Sequence, residues 1–258
     1  MSIDYYYAHA QDILNSDGEV GRDARLARLG RHKDLDRFVS HPHWAVREIV
    51  ASFGRPQDMD KLVNDQSPIV RAMVANIGRP EDLDRLVFDK EDFVIRMNVA
   101  AHGRPEDLAI LVSDVNSHVR EVVAIFGTES ELDILVHDVD SNVREQVAYR
   151  DIDKYLDILV NDPSDKVRIA VAKLNRHRYN KILATNGSCY MVKQIVICNC
   201  KESCLKLFIH SEDWFIRRLV ARRGVYKFLK MLENDEDEYV REEVRRQLDI
   251  IEFHYEED

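Results

Sequence analysis

The chain has 258 residues, 45% hydrophobic and 33% charged, with a formal net charge of −10. This is the composition of a foldable soluble protein, and no apolar run approaches the roughly 18–20 residues needed to cross a bilayer. Four cysteines, all between Cys189 and Cys204, make no disulfide framework for this size, and Met-Ser-Ile-Asp-Tyr-Tyr-Tyr is no signal peptide, so a cytoplasmic location is expected.

Charge is unevenly placed. Residues 1–165 carry 19 Lys and Arg against 32 Asp and Glu, residues 166–231 carry 15 against 3, and residues 232–258 carry 3 against 12.

In chain order, residues 1–29 read as a degenerate opening unit. Asp23 stands where later units have an arginine, while Ala27 and Gly30 are in phase. From there one phrase returns: Val46-Arg47-Glu48-Ile49-Val50-Ala51, then Val119-Arg120-Glu121-Val122-Val123-Ala124, then Val143-Arg144-Glu145-Gln146-Val147-Ala148. Its cationic slot is filled by Arg47, Arg71, Arg96, Arg120, Arg144, Arg168, Lys193, Arg217 and Arg241, at gaps of 24, 25, 24, 24, 24, 25, 24 and 24 residues. A period that strict is a repeat array.

Gly54 to Ile77 gives the grammar of one unit. Glycine closes the preceding helix, and Pro56 opens a short helix to about Val63 that buries Met59, Leu62 and Val63. Ser67-Pro68 opens a second helix, which buries Val70, Met73, Val74 and Ile77 at i, i+3, i+4, i+7. The capping slot four residues before each cation holds His43, Ser67, Asp92, Asn116, Asp140, Ser164, Cys189, Asp213 and Asp237, seven of them good N-caps, so the register is no coincidence. Closing glycines are Gly30, Gly54, Gly78, Gly103, Gly127 and Gly224, with Asp151, Asn175 and Cys200 in that slot between. Glu243 and Gln247 take normally buried positions in the last unit, Glu233–Gln247, and read as a polar terminal cap. Leu248–Tyr255 is expected to fold back as a final turn or helix, and Glu256-Glu257-Asp258 to fray.

The string Leu-x-x-Leu-Val-x-Asp-x-x-x-x-Val-Arg-x-x-Val-Ala, read from residue 108 or 132, resembles the variant leucine-rich repeat family, a shortened relative of HEAT repeats. The resemblance spans roughly residues 30–247 and departs around 175–204. It implies an all-α, right-handed superhelical solenoid of about ten two-helix repeats, an α-helix alternating with a short α or 3₁₀ helix. It also implies binding, with no shared catalytic activity. The expected organisation is one solenoid domain over 1–258: the degenerate repeat 1–29, the array 30–247, and a C-terminal cap and tail 248–258.

The cations Arg47, Arg71, Arg96, Arg120, Arg144, Arg168, Arg217 and Arg241 are expected to be a structural ladder. Acids lie six residues before a ladder cation at Asp65, Asp114, Asp138, Asp162 and Asp235, and four before it at Asp92, Asp140, Asp213 and Asp237. An Arg and an Asp per repeat, in register, pair within and between neighbours. A second ladder, Arg31, Arg55, Arg79 and Arg104, is shadowed by Asp34, Asp58, Asp82 and Asp107 and reads as a solvated edge. Trp44, Phe93, Tyr190 and Trp214 share one position, read as inter-repeat packing before binding platform.

The basic segment is the functional candidate: Arg176, Arg178, Lys181, Lys193, Arg218, Arg222, Arg223 and Lys227, interleaved with Tyr179, Tyr190, Trp214 and Tyr226. Such a field attracts an acidic protein or, in the alternative, a phosphate ligand or nucleic acid. Cys198, Cys200 and Cys204 form a candidate zinc or iron–sulfur set with His210 as a fourth ligand; Cys189 stands about 13 Å of helix from Cys198. Small buried thiols are the competing reading, because the spacing matches no standard metal pattern. No Gly-rich phosphate loop, His-Glu-x-x-His or Gly-x-Ser-x-Gly occurs, and His41-Pro-His43 reads as a surface turn, so no enzyme is expected. The expected function is a scaffold for protein–protein interaction.

Overall fold

A computed structural model describes residues 15–186 and 189–255; the expectations for the first fourteen residues and for Glu256-Glu257-Asp258 lie outside them. Every regular element among the described residues is an α-helix. The chain groups into two compact units, residues 1–134 and 135–258.

In the first unit the helices that carry the ladder position are Glu19–Arg28, Trp44–Ser52, Pro68–Ile77, Phe93–Ala101 and Ser117–Phe126. Each packs on the next, and between them run the short helices His32–Phe38, Pro56–Leu62, Pro80–Leu86 and Pro105–Leu111. The second unit repeats the scheme. Its ladder helices are Ser141–Tyr149, Asp165–Lys173, Tyr190–Asn199, Trp214–Arg222 and Glu238–Tyr255, and its short ones Asp153–Leu159, His177–Thr185, Glu202–Leu205 and Tyr226–Leu232. The fold is an α-solenoid, as the period requires: neither helix of a repeat buries its apolar face alone.

The apolar grammar is realised at most positions; of the second helix of the Gly54–Ile77 unit, Val70 and Val74 are buried but Met73 and Ile77 only half-buried, because they lie at the edge of the packed face. Val46, Val50, Ala51, Met59, Leu62 and Val63 are buried, as are their counterparts Val167, Val171 and Ala172. The side chains of Asp92, Asn116, Asp140, Asp213 and Asp237 accept the backbone N–H two residues on, and so does His43; Ser67 and Ser164 do not cap. At those two serines it is the backbone N–H that is held, by Asp65 and Asp162.

Helix closure departs from expectation at two places. Gly30 has φ 66° and its missing side chain leaves room for the Phe53 ring, 2.6 Å from where a Cβ would stand. Asp151 and Asn175 adopt the same left-handed conformation, but Gly127 and Cys200 are extended. At Gly127 the next helix is started by Thr128, whose N–H and hydroxyl both donate to Glu131, so a capping box replaces the Arg-Pro opening.

Arg47, Arg71, Arg96, Arg144 and Arg217 hold successive repeats together through one rule: each pairs with the aspartate 18 residues later. Arg47 donates Nε and Nη2 to Asp65 at 2.6 and 2.7 Å, Arg96 to Asp114 at 2.5 and 2.9 Å, Arg144 to Asp162 at 2.7 and 2.8 Å, and Arg217 to Asp235 at 2.7 and 2.8 Å. Arg71 reaches Asp89 and Glu91. The main-chain carbonyl of the same aspartate accepts Nη1 of the next arginine: Asp65 from Arg71, Asp89 from Arg96, Asp114 from Arg120, Asp162 from Arg168 and Asp235 from Arg241. Each aspartate is thus clamped between two rungs. The acids four residues before the arginine cap helices. At the N-terminal rung the charges are exchanged: Asp23 stands in the arginine position and His41 Nε2 lies 3.4 Å from it.

The second ladder is a correction. Arg55, Arg79 and Arg104 do pair with Asp58, Asp82 and Asp107, at 2.5–2.6 Å, but those aspartates are 1–2% exposed. The same arginines reach back to Asp36, Asp60 and Asp84 of the preceding repeat. From Arg55 onward the inner aspartates of that edge are buried, while Arg31 and the back-reaching partners Asp36, Asp60 and Asp84 stay solvated. The C-terminal end also differs, because Glu238–Tyr255 is one helix of 18 residues and does not fold back. Leu248 stands where other repeats have their helix-closing residue, and nothing there ends the helix.

Acid sensitivity follows from the rungs. Burial raises the Asp89 and Asp235 carboxyls, but hydrogen bonds from Arg71 and Arg217 and from nearby backbone N–H groups hold both below the ordinary 3.8. A depressed folded pKa contributes stability that is present above the unfolded value and lost as pH falls through the folded one. The melting temperature should therefore drop as pH falls below about 4. In Asp235→Asn, melted over the same pH series, part of that acid dependence should disappear.

Candidate functional site

The basic segment lies wholly in the second unit, and the fold divides it between two helix layers. Arg178, Lys181 and Lys227 stand on short helices; Lys193, Arg218 and Arg222 stand on ladder helices; Arg176 and Arg223 occupy cap positions. The structure does not gather the eight on one face. Several are already engaged. Arg176 pairs with Asp151 and Arg178 with Asp157, while Arg223 donates inward to the carbonyls of Ile197 and Cys200.

Arg218 and Arg222 face Glu243 at 3.4 and 3.8 Å, and Arg246 approaches it at 4.0 Å. The expected polar cap is thus a buried carboxylate, 2% exposed, surrounded by three guanidiniums and a hydrogen bond from Gln247. Three guanidiniums thus share one buried carboxylate. On the short helices, Lys181, Lys206 and Lys230 occupy the position held by Asp60, Asp84, Asp133 and Asp157 in earlier repeats, so the column changes sign at the seventh repeat. Lys230 pairs with Glu233; Lys181, Lys206 and Lys227 have no acidic partner among the described residues.

Beside the arginines runs a strip of aromatic rings that crosses three repeats. Tyr190 meets Phe215 at 5.2 Å, Phe215 meets Trp214 at 5.5 Å, and Trp214 meets Tyr239 at 5.3 Å. The rings pack between repeats as expected for Tyr190 and Trp214, yet Tyr190 is 39%, Trp214 37% and Tyr239 56% exposed. Met191 beside them is also exposed. Phe215 and Tyr239 lie one position further along than the aromatic slot picked out in the sequence, which is why a single-position reading missed the continuity. Among the described residues of the first unit, Trp44 stacks on His43 and Phe93 approaches His118, with no such run.

The cysteines separate. Cys198 is exposed, Cys189 half-buried, and Cys200 and Cys204 are 2% and 1% exposed. Among the described residues no three His, Cys, Asp or Glu side chains come together as a metal site, so Cys198, Cys200, Cys204 and His210 do not form the set the spacing suggested. Cys200 and Cys204 hydrogen-bond to each other. That bond and burial push the Cys200 thiol far up, while the same bond, with Lys181 nearby, holds Cys204 down against its burial.

Comparison with solved structures places the fold. Over 81% of this chain and 88% of its own, a leucine-rich repeat variant with a repetitive structural motif superposes at a TM-score of 0.69 and 23% identity. Two looser likenesses are the Escherichia coli protein YibA, at a TM-score of 0.45 and 15% identity over 91% of this chain and 97% of its own, and a designed armadillo repeat protein, at 0.18 and 11% over 88% and 98%. No protein-family model and no curated protein matches the chain. The repeat fold that the Val-Arg-x-x-Val-Ala register implied is the one this protein has. Among the described residues no helix is long and apolar enough to cross a membrane.

The thiols give a direct check on this geometry. In the native protein Cys198 should react with an aromatic disulfide reagent in a fast phase, while Cys200 and Cys204 react only after denaturant is added. The fast phase should vanish in Cys198→Ser; its survival would contradict the placement.

Proposed function

We propose that this protein is a non-enzymatic recognition scaffold whose second unit binds a protein partner of acidic character. The observation that carries the reading is the exposed aromatic strip from Tyr190 to Tyr239. Large rings held against one another across repeats lose little further freedom on binding, and exposed aromatic and arginine residues are the groups that most often dominate interface energy. The arginine excess around Glu243 sets the sign of the partner, because complementary charge steers association and fixes orientation.

A second reading, nucleic acid or another phosphate ligand, draws on Lys181, Lys206 and Lys227. It asks for a phosphate-tracking surface on the short helices, and the chain as a whole, with a pI near 5.5, is far from the basic footprint such modules carry.

The two are separated by paired measurements. Affinity capture quantified against Trp214→Ala/Tyr239→Ala should lose its specific partners by about tenfold or more. A gel shift with single-stranded and duplex nucleic acid should show no retardation at moderate salt. Retardation that disappears in Lys181→Glu/Lys206→Glu, with unchanged capture in the aromatic variant, would establish the second reading instead.

A further inference from the structure

The rule that closes the ladder also shows where it is open. Eighteen residues after Arg168 stands Asn186, and eighteen after Lys193 stands Ser211. Arg168 donates Nη1 to the carbonyls of Asp162 and Pro163, as every ladder arginine does, and Nη2 to Asp165 on its own helix. Its Nε, the atom that binds the aspartate in the other rungs, is buried and has no acceptor. Asn186 does not supply one: its amide donates backward to the Val160 carbonyl and to Asn161. Ser211 is likewise turned inward on its own loop, its hydroxyl accepting from the Asp213 N–H and its carbonyl from Arg217. Lys193 has no ion pair or hydrogen-bonded side-chain partner among the described residues.

In a closed rung the carboxylate is bound by the first cation through Nε and Nη2, and the main-chain carbonyl of the same residue accepts from the second. Two neighbouring positions of that kind lack their carboxylate here, one between Arg168 and Lys193 and the next between Lys193 and Arg217. The first falls inside the stretch 166–201, which contains no acid; around the second stand Glu202, Glu212 and Asp213. Grooves of 370 Å³ at the closed rung of Arg47 and Asp65 and of 440 Å³ beside Ser211 at the closed rung of Arg217 and Asp235 lie along this edge, the second lined also by Glu212 and Glu236.

We infer that the open rungs at Asn186 and Ser211 receive two carboxylates from an acidic segment of a protein partner, which completes the ladder in trans. This rests on the reading that the second unit recognises protein, and it names the partner's chemistry. A carboxylate fits because Arg168 presents the Nε that holds aspartate in the other rungs, and Lys193 offers an ammonium unpaired among the described residues at the second position. The spacing narrows it further. Packed ladder helices lie about 8–10 Å apart. A polyproline II segment rises about 3.1 Å per residue with three residues per turn, so acids at i and i+3 project from one side about 9 Å apart. The segment that matches is acid-x-x-acid in extended form, with proline favoured between.

The test uses the full chain and a fluorescein-labelled peptide containing Glu-Pro-Pro-Glu, with Gln-Pro-Pro-Gln as control, in polarisation titrations at low salt. Saturable binding of the Glu peptide and none of the Gln peptide is expected. Asn186→Asp/Ser211→Asp fills both rungs from within, so it should raise the melting temperature and weaken the Glu peptide by about tenfold or more. Lys206→Gln/Lys227→Gln makes the same change in net charge elsewhere and should leave affinity within about twofold. Equal loss in both double variants, unchanged affinity in Asn186→Asp/Ser211→Asp, or no binding to the wild-type chain would each overturn the inference. None of these outcomes touches the capture experiment with Trp214 and Tyr239, so a failure here is distinct from a failure of the recognition reading.

Discussion

The repeats of this protein depend on an aspartate held between two arginines, its carboxylate by the first and its main-chain carbonyl by the second. Apolar stacking supplies the bulk of the driving force, as it does in any solenoid, but valines and leucines at equivalent positions do not by themselves choose which repeat follows which. The Arg–Asp rung does. Its partners are 18 residues apart, in successive repeats, and both are almost fully buried: Arg47 and Asp65 side chains are 6% and 7% exposed. Removing one partner of such a pair costs about 3–5 kcal/mol because the other is left as an uncompensated buried charge. The bidentate fork and the carbonyl behind it also fix geometry, so the rung sets both register and angle.

Much of this was legible from sequence because it is periodic. The apolar positions, the ladder and the capping slots all followed from a period of 24. The direction of the ion pairs did not. Asp65 lies six residues before Arg71 and eighteen after Arg47, and spacing alone cannot say that its side chain serves the earlier arginine and its carbonyl the later one. Asp89 escaped notice because the 25-residue interval moves it to seven before Arg96, although its relation to Arg71 is intact. The burial of Asp58, Asp82 and Asp107 was also hidden, since an acid three residues after an exposed-looking arginine reads as solvated until the preceding repeat is seen to cover it.

The candidate surfaces were less legible, for a physical reason. Sequence shows that charge changes sign near residue 166, but not that Lys181 and Arg218 stand in different helix layers, nor that Glu243 draws Arg218 and Arg222 inward. The aromatic run needed the structure too: Tyr190 and Trp214 share a repeat position, but Phe215 and Tyr239 complete the strip from the next one. The cysteines looked clustered because they are close in sequence, whereas a helix end places Cys198 outside and Cys200 with Cys204 inside. The poorest copy of the repeat remains the informative one. There the ladder loses its aspartate at Asn186, its arginine at Lys193, and its alanine at Ile197, while the apolar core stays filled.

If the buried rung is what joins one repeat to the next, its two partners must be energetically coupled well beyond an exposed ion pair. The direct measurement is a double-mutant cycle on Arg144→Gln and Asp162→Asn, read by chemical denaturation. The account predicts a coupling energy of about 1.5 kcal/mol or more, against the fraction of a kcal/mol typical of a surface pair. Additive effects, with a coupling indistinguishable from zero, would contradict it.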